Sequence, residues 1–290
     1  MDMDDFINVD LEVSLQNGQL AGGTIQRFRD LIYRYYRDYG RALPWRNTRD
    51  PYRILVSEFM LQQTQVDRVL RKYGPFTERF PDISALHNAP LDQLLGAWQG
   101  LGYNRRCLSL KRSAGIIVNE HAGSVPDTAA ELLNLPGIGP ATAAGILCFA
   151  YGKPVAYLET NIRNVFIHIF FRGKNGVHDR EIQPLVEQTL DRMNPREWYF
   201  ALMDYGAMLK REIGNLNMRS RHYTKQPPFE DSNRQLRGTI LKVLLEKPGL
   251  SEAQIMNHVK TEPPRVRKIV AMLANEGFIK KCGGTYSISD

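Results

Sequence analysis

Along most of this chain apolar residues recur at helical spacing, and the polar residues between them carry helix start and stop signals. Phe28, Ile32 and Tyr35 fall on one stripe of a segment from Thr24 to about Tyr39, with Thr24 placed to cap it. Leu43-Pro44-Trp45-Arg46 interrupts the pattern. Asp50-Pro51 then supplies an N-cap and a first-position proline for a helix to about Tyr73. From Pro75 to Gly123 the pattern predicts short helices joined at Phe80-Pro81, Ala89-Pro90 and Gly100-Leu101-Gly102. Two further helices, Asp127 to Leu133 and Pro140 to Tyr151, are expected on either side of Leu135-Pro136-Gly137-Ile138-Gly139, with Gly152 ending the second. Helical patterns continue from Glu159 to about Asn215, with breaks at Gly173 to Gly176 and at Asn194-Pro195. No strand pattern appears before residue 230.

After a basic, irregular stretch from Lys210 to Glu230, the texture changes. Helices are expected at Asn233 to Leu245, Ser251 to Val259 (capped by Ser251) and Pro263 to Asn275. Phe278-Ile279 and Thr285 to Ile288 read as two strands joined across Gly283-Gly284. Three helices and a hairpin make a winged-helix pattern, and Arg265, Arg267 and Lys268 lie on its third helix. Such modules present that helix to DNA; a winged helix used for protein contacts is the other reading. The expected organisation is a mobile arm over residues 1–23, a mainly α core over 24–226 and an α+β winged helix over 233–290.

Charge narrows the partners. The 290 residues carry a net charge of +7, and the pI near 9.3 favours a polyanion. Cys107, Cys148 and Cys282 lie far apart and form neither a disulfide framework nor a cysteine-rich metal site. No apolar run is long enough for a bilayer, so no membrane partner is expected. The acidic start, Met1 to Asp10, does not resemble a signal peptide. The expectation is a cytoplasmic, nucleoid-associated monomer.

Several stretches carry candidate chemistry. Gly137 and Gly139 let the backbone turn tightly and bare its N–H groups, and the following helix aims its positive end outward. That is a phosphate site without base preference, or else an ordinary helix connection. Glu58 lies among Ile54, Leu55, Leu61 and Gln62; desolvation there would raise its pKa and suit it to donate a proton. A partly exposed, ion-paired Glu is the alternative. Gln62, Gln63, Thr64 and Gln65 could probe base edges or fill the gap left by an extruded base, or form a solvated face. Glu159 and Asn161 could cap a helix or face a cationic centre. Cleaving an N-glycosidic bond calls for one proton donor and one anion near the sugar cation.

Taken in order, Leu43-Pro44-Trp45-Arg46, Pro51-Tyr52, Ser57 to Val66, Gly100 to Tyr103, Leu135 to Gly139 and Met203 to Met208 resemble the helix-hairpin-helix DNA glycosylases. The match, from about Thr24 to Met208, looks most like the MutY-type adenine DNA glycosylases. The resemblance implies two helical lobes, 45–152 and 24–44 plus 153–226. It makes Glu58 the general acid for the departing adenine, and puts Glu159 where the family has an aspartate facing the sugar cation, with Asn161 beside it. Gln63 and Tyr103 match duplex-wedging residues; Gln62, Thr64 and Leu101 flank them. Trp45 and Arg46 match residues of the base pocket. The carbonyls of Leu133, Leu135 and Ile138 match those that hold a monovalent cation against a DNA phosphate. The implied partner is double-stranded DNA carrying a mismatch or an oxidised base.

The sequence also departs from that family. Glu159 adds a methylene to the aspartate. The family's four cluster-binding cysteines are missing from Lys210 to Gln226, so no iron–sulfur cluster is expected; Lys210, Arg211, Arg219 and Arg221 would hold the DNA backbone there instead. The winged helix stands where the family carries an 8-oxoguanine-sensing domain, and Tyr199-Phe200 where it often has Asn-Gln. Ala141 occupies the position at which strand-cutting relatives carry lysine, so strand cleavage through an imine is not expected. The expected activity is monofunctional removal of a mismatched adenine, with no required cofactor. The alternatives are a uracil/thymine mismatch glycosylase and a non-catalytic lesion-binding protein.

Overall fold

The computed structural model describes residues 3–11, 15–16 and 19–290. In chain order its elements are α1 (Met3–Ile7), β1 (Leu15–Gln16), β2 (Gln19–Leu20), α2 (Gly22–Tyr39), α3 (Pro51–Leu61), α4 (Val66–Arg79), α5 (Ile83–Asn88), α6 (Leu91–Trp98), α7 (Arg105–Glu120), α8 (Ala129–Asn134) and α9 (Pro140–Tyr151). They continue with α10 (Thr160–Phe170), α11 (Asp179–Thr189), α12 (Pro195–Glu212), α13 (Asn233–Glu246), β3 (Leu250–Ser251), α14 (Glu252–Val259), α15 (Pro263–Glu276), β4 (Ile279–Cys282) and β5 (Thr285–Ile288). Short 3₁₀ turns cover Pro44–Arg46 and Leu216–Arg219. Among the described residues, no helix is long and apolar enough to cross a membrane.

Two units, each with its own core, divide the chain. The first takes the described residues up to Arg49, with Asp127–Ala130 and Ile138–Lys225. Its centre is aromatic: Phe28 of α2 meets Phe166, Phe170 and Trp198 edge-on, and Tyr35 meets Tyr205 at 5.3 Å between ring centres. Gly206 of α12 lies against the start of α10, where a Cβ would come within 2.1 Å of the Asn161 carbonyl oxygen. Any side chain there would force those two helices apart.

The second unit takes Asp50–Pro126, Glu131–Gly137 and Gln226–Asp290. Asp50 caps α3 by accepting the N–H groups of Tyr52 and Arg53, with Pro51 at the first helical position. Trp98, Phe59 and Phe76 are fully buried in this unit. The winged helix completes it: β5 pairs antiparallel with both β3 and β4 in a sheet ordered β3-β5-β4. Ser251 and Gln254 form a capping box at α14.

Some expectations are corrected. The helix expected from Pro51 to Tyr73 is broken after Leu61, and Gln63 is left-handed at φ 54°. Helix α2 begins at Gly22 after Ala21, and Thr24, expected as its cap, is buried within it. Within the described part of residues 1–23, Phe6 is fully buried in the first unit, and its carbonyl accepts the Tyr205 hydroxyl at 2.5 Å. Leu20 is also buried, and β1 and β2 pair antiparallel, which no strand pattern announced. Residues 138–152, expected with the lobe containing Glu58, cluster in the first unit.

Candidate active site

In the second unit, Glu58 sits half-buried on α3, on a helix whose Ile54, Leu55, Phe59 and Met60 are buried. What ends this helix is Arg106. Its guanidinium donates to the carbonyls of Phe59 (2.8 Å) and Met60 (2.9 Å), which no helical N–H reaches. It also donates to Thr64 Oγ1 (2.8 Å) and to the carbonyls of Leu101 and Gly102. Burial lowers the Arg106 pKa to about 10, which leaves it a cation at neutral pH. One buried side chain thus holds the end of α3, the Gln62–Gln65 turn and the Gly100–Gly102 turn. Gln63 and Tyr103 project from those two turns, both exposed and both with positive φ.

The glycine-rich hairpin is fixed from below. Gly137 has φ 83°, and a Cβ there would lie 2.7 Å from Ser109 Cβ and 2.9 Å from Phe59 Cε1. Glycine is therefore required twice, for conformation and for closeness. Ser113 donates to the Pro136 carbonyl (2.9 Å), and Gln62 Nε2 donates to that of Gly137 (3.1 Å). Gly139 precedes Pro140, the first residue of α9, and Gly152 closes α9 in the left-handed region, as the sequence predicts. Leu135 and Ile138 are buried, while Leu133 is 45% exposed.

In the first unit, Glu159 is the N-cap of α10. Its Oε1 accepts the N–H groups of Asn161 (2.7 Å) and Ile162 (2.8 Å), and its Oε2 accepts Asn161 Nδ2 at 3.3 Å. Burial pushes the Glu159 pKa above the usual carboxylate value despite these bonds and the charge of Arg163. The residue keeps some surface, yet its carboxylate is closely surrounded by protein. Trp45 is buried. The Arg46 side chain is only 6% exposed, because its guanidinium grips Asp204 at 2.7 and 2.8 Å. Burial raises the Asp204 pKa, but the bonds and charges of Arg46 and Arg41 outweigh it and hold the carboxyl below its usual range. Arg46 also lies 4.6 Å over the ring of Phe200, which stacks on Phe149. Arg46, Asn47, Tyr36 and Phe200 help line an open depression of about 340 Å³. A larger one, about 700 Å³ beside Tyr33, Arg37, Asp191 and Glu197, contains none of the expected site residues.

The cations expected on DNA have varied surroundings. Lys210 and Arg221 are exposed. Arg211 pairs with Glu212, and Arg219 donates to the carbonyls of Lys174 and Phe171. On α15, Arg265 bonds Asn233 and Asp231, Arg267 pairs with Glu252 at 3.0 Å, and Lys268 is exposed. The last residue of α15, Glu276, receives Arg105 and Arg237, and the Arg105 hydrogen bond leads those that lower its pKa to about 2.

Asn217 anchors the stretch that has no cluster-binding cysteines. Its amide donates to the Thr160 carbonyl (3.0 Å) and to Asn164 Oδ1 (2.6 Å), and its Oδ1 accepts Arg163 (3.3 Å). Arg163 in turn makes a two-pronged ion pair with Asp179. Arg106, Asn217, Gln226 and Arg234 escaped the sequence reading, since each acts chiefly through partners distant in the chain, and the partners of Asp204 escaped it too. Only the Asp204-Tyr205-Gly206 run, quoted as motif, carried a signal.

With this geometry, the comparisons define a class. Residues 56–190 match the HhH-GPD superfamily of base excision DNA repair proteins, and residues 234–280 match winged helix-turn-helix DNA-binding modules. The adenine DNA glycosylase of Mycolicibacterium smegmatis is 44% identical over 272 residues, 85% of this chain and 90% of that protein. The chain belongs to the adenine DNA glycosylase family within the HhH-GPD superfamily. The adenine DNA glycosylase of Buchnera aphidicola subsp. Baizongia pistaciae is 36% identical over 187 residues, and there this chain spans about half, 52%, of the relative's length. A thermostable thymine-DNA glycosylase has a similar solved structure, with TM-score 0.58 and 28% identity, covering 63% of this chain and 86% of that one.

Proposed function

We propose that the protein is a monofunctional DNA glycosylase that hydrolyses the N-glycosidic bond of a mismatched adenine opposite 8-oxoguanine or guanine. The observation that carries this reading is the Glu159 carboxylate, held by two backbone N–H groups at the start of α10 with Asn161 beside it, in a relative of named adenine DNA glycosylases. In this mechanism the bond between sugar and base breaks with its electron pair on the base. Glu58 supplies the proton that the base takes up, and Glu159, ionised, stabilises the oxocarbenium-like sugar. Water adds to C1′ and releases a proton. Gln63 and Tyr103 hold the duplex open, and the hairpin N–H groups and basic side chains grip phosphates.

DNA is the partner, through the superfamily core and the winged helix; its form in this reading is a duplex with a mismatched or oxidised base, bound by an intracellular monomer. A monovalent cation suits the hairpin, whose turn is fixed by Gly137; the carbonyls of Leu133, Leu135 and Ile138 would hold it, and it would supply positive charge toward a phosphate. An iron–sulfur cluster does not fit: Lys210 to Gln226 offers no thiolate, and Asn217 ties that stretch to α10 with amide hydrogen bonds.

The test is release of base from duplexes carrying adenine:8-oxoguanine, adenine:guanine, uracil:guanine and thymine:guanine, with alkali revealing abasic sites. Adenine release is expected, and Glu58→Gln should lower it by roughly 100-fold or more with DNA binding retained. Absence of adenine release would overturn the reading. Release of thymine or uracil instead would establish the second one, which Phe200 in the altered pocket and the similarity to the thymine-DNA glycosylase favour. Because Ala141 offers no amine, borohydride should not trap the enzyme on substrate DNA; efficient trapping would show an imine intermediate.

A further inference from the structure

We propose that Gln226 and Arg234, on either side of the Pro227-Pro228 linker, are positioning residues for the duplex wedge. The inference rests on the wedge role given above to Gln63 and Tyr103. Those two side chains come from separate turns, and both residues have a backbone that non-glycine residues rarely adopt, with φ of 54° and 49°. Such a conformation persists only where neighbours hold it, and it tends to mark a functional tip.

The linker supplies the neighbours. Gln226 Nε2 donates to Gln63 Oε1 (3.1 Å) and to the Tyr103 hydroxyl oxygen (2.7 Å). The Tyr103 hydroxyl also lies 3.0 Å from Gln226 Oε1, so a proton is available in either direction. Arg234 donates to the same hydroxyl at 3.0 Å. Its other nitrogen returns to the carbonyls of Pro227 (2.6 Å) and Pro228 (3.3 Å), which closes the linker onto the start of α13. The Arg106 and Arg234 guanidiniums lie 5.5 and 6.0 Å from the centre of the Tyr103 ring.

A wedge that parts stacked bases must resist being pushed aside. Buried Arg106 already holds the two turns together, and the Gln226 amide joins the two side-chain tips that project from them. Arg234 belongs to the first helix of the winged-helix module, so the module has a structural part in base extrusion. All these groups lie within the second unit.

The experiment uses the full-length protein and an adenine:8-oxoguanine duplex with 2-aminopurine beside the target. It compares Gln226→Ala, Arg234→Ala and Arg234→Lys with Gln63→Ala and Tyr103→Ala. Gln226→Ala and Arg234→Ala should lower both the 2-aminopurine signal and the single-turnover excision rate by roughly five- to tenfold, the effect of about one lost hydrogen bond. Duplex affinity should stay within about twofold, and Arg234→Lys should restore part of the rate. If Gln63→Ala and Tyr103→Ala slow excision while the linker variants do not, the inference fails and the wedge reading stands. If Gln63→Ala and Tyr103→Ala have no effect, the wedge reading itself fails. Faster excision by Gln226→Ala would make the linker a brake and overturn the proposal.

Discussion

At the start of α10, the carboxylate of Glu159 is both a helix cap and the group assigned to face the sugar. Burial raises its pKa above 4.5, the ordinary value for such a group, although three N–H donors and Arg163 oppose that. Since the proposed mechanism requires the ionised form, excision should fall as pH drops through that raised pKa, so the acid limb of single-turnover rate against pH should lie above about 4.5. A limb at or below the ordinary value would show that Glu159 does not control the rate. The capping role of Glu159 was legible in the sequence because a cap acts on its own helix. The grip of Arg46 and Arg41 on Asp204 was not, since the partners lie 158 and 163 residues apart. No periodicity encodes that distance.

Helix α3 shows how far an element can be read from its own residues. Its start follows from Asp50-Pro51, but its end depends on a guanidinium from α7. Propensity alone therefore carried the helix on to Tyr73. The winged helix was legible almost whole because its signals are local: a capping box, a double proline and a double glycine at the hairpin. Only β3, two residues long, was missed. Helix α1 was missed too, since its anchoring residue, Phe6, gains its burial from distant partners such as Tyr35. At Leu216–Arg219 the anchoring element is Asn217. Asn217→Ala should leave the Thr160 carbonyl and the Asn164 amide short of a partner and destabilise the fold by about 1–3 kcal/mol. Urea unfolding measures the loss, and hydrogen exchange should show residues 213–221 opening first. An unchanged midpoint and unchanged protection would remove Asn217 from the account.

For the molecule as a whole, the excess of basic over acidic residues, net +7, sets how it meets DNA. Phosphate contacts release counterions, so duplex binding should weaken at least about 100-fold between roughly 50 and 200 mM salt. Fluorescence anisotropy across that range checks it; a nearly flat response would mean that the basic residues are solvated surface. Overall charge, helical class and the order of motifs were open to the sequence. The division into units was less so, because residues 138–152 follow the hairpin in the chain yet pack with the first unit. The hairpin's inner side has one more consequence. Gly137 rests on the ring of Phe59, the immediate neighbour of Glu58. In the proposed mechanism, the backbone that grips the strand and the carboxyl that protonates the base are thus parts of one stiff gauge. On that reading, the spacing between a gripped phosphate and the proton donor is set by the protein itself, whatever base is offered.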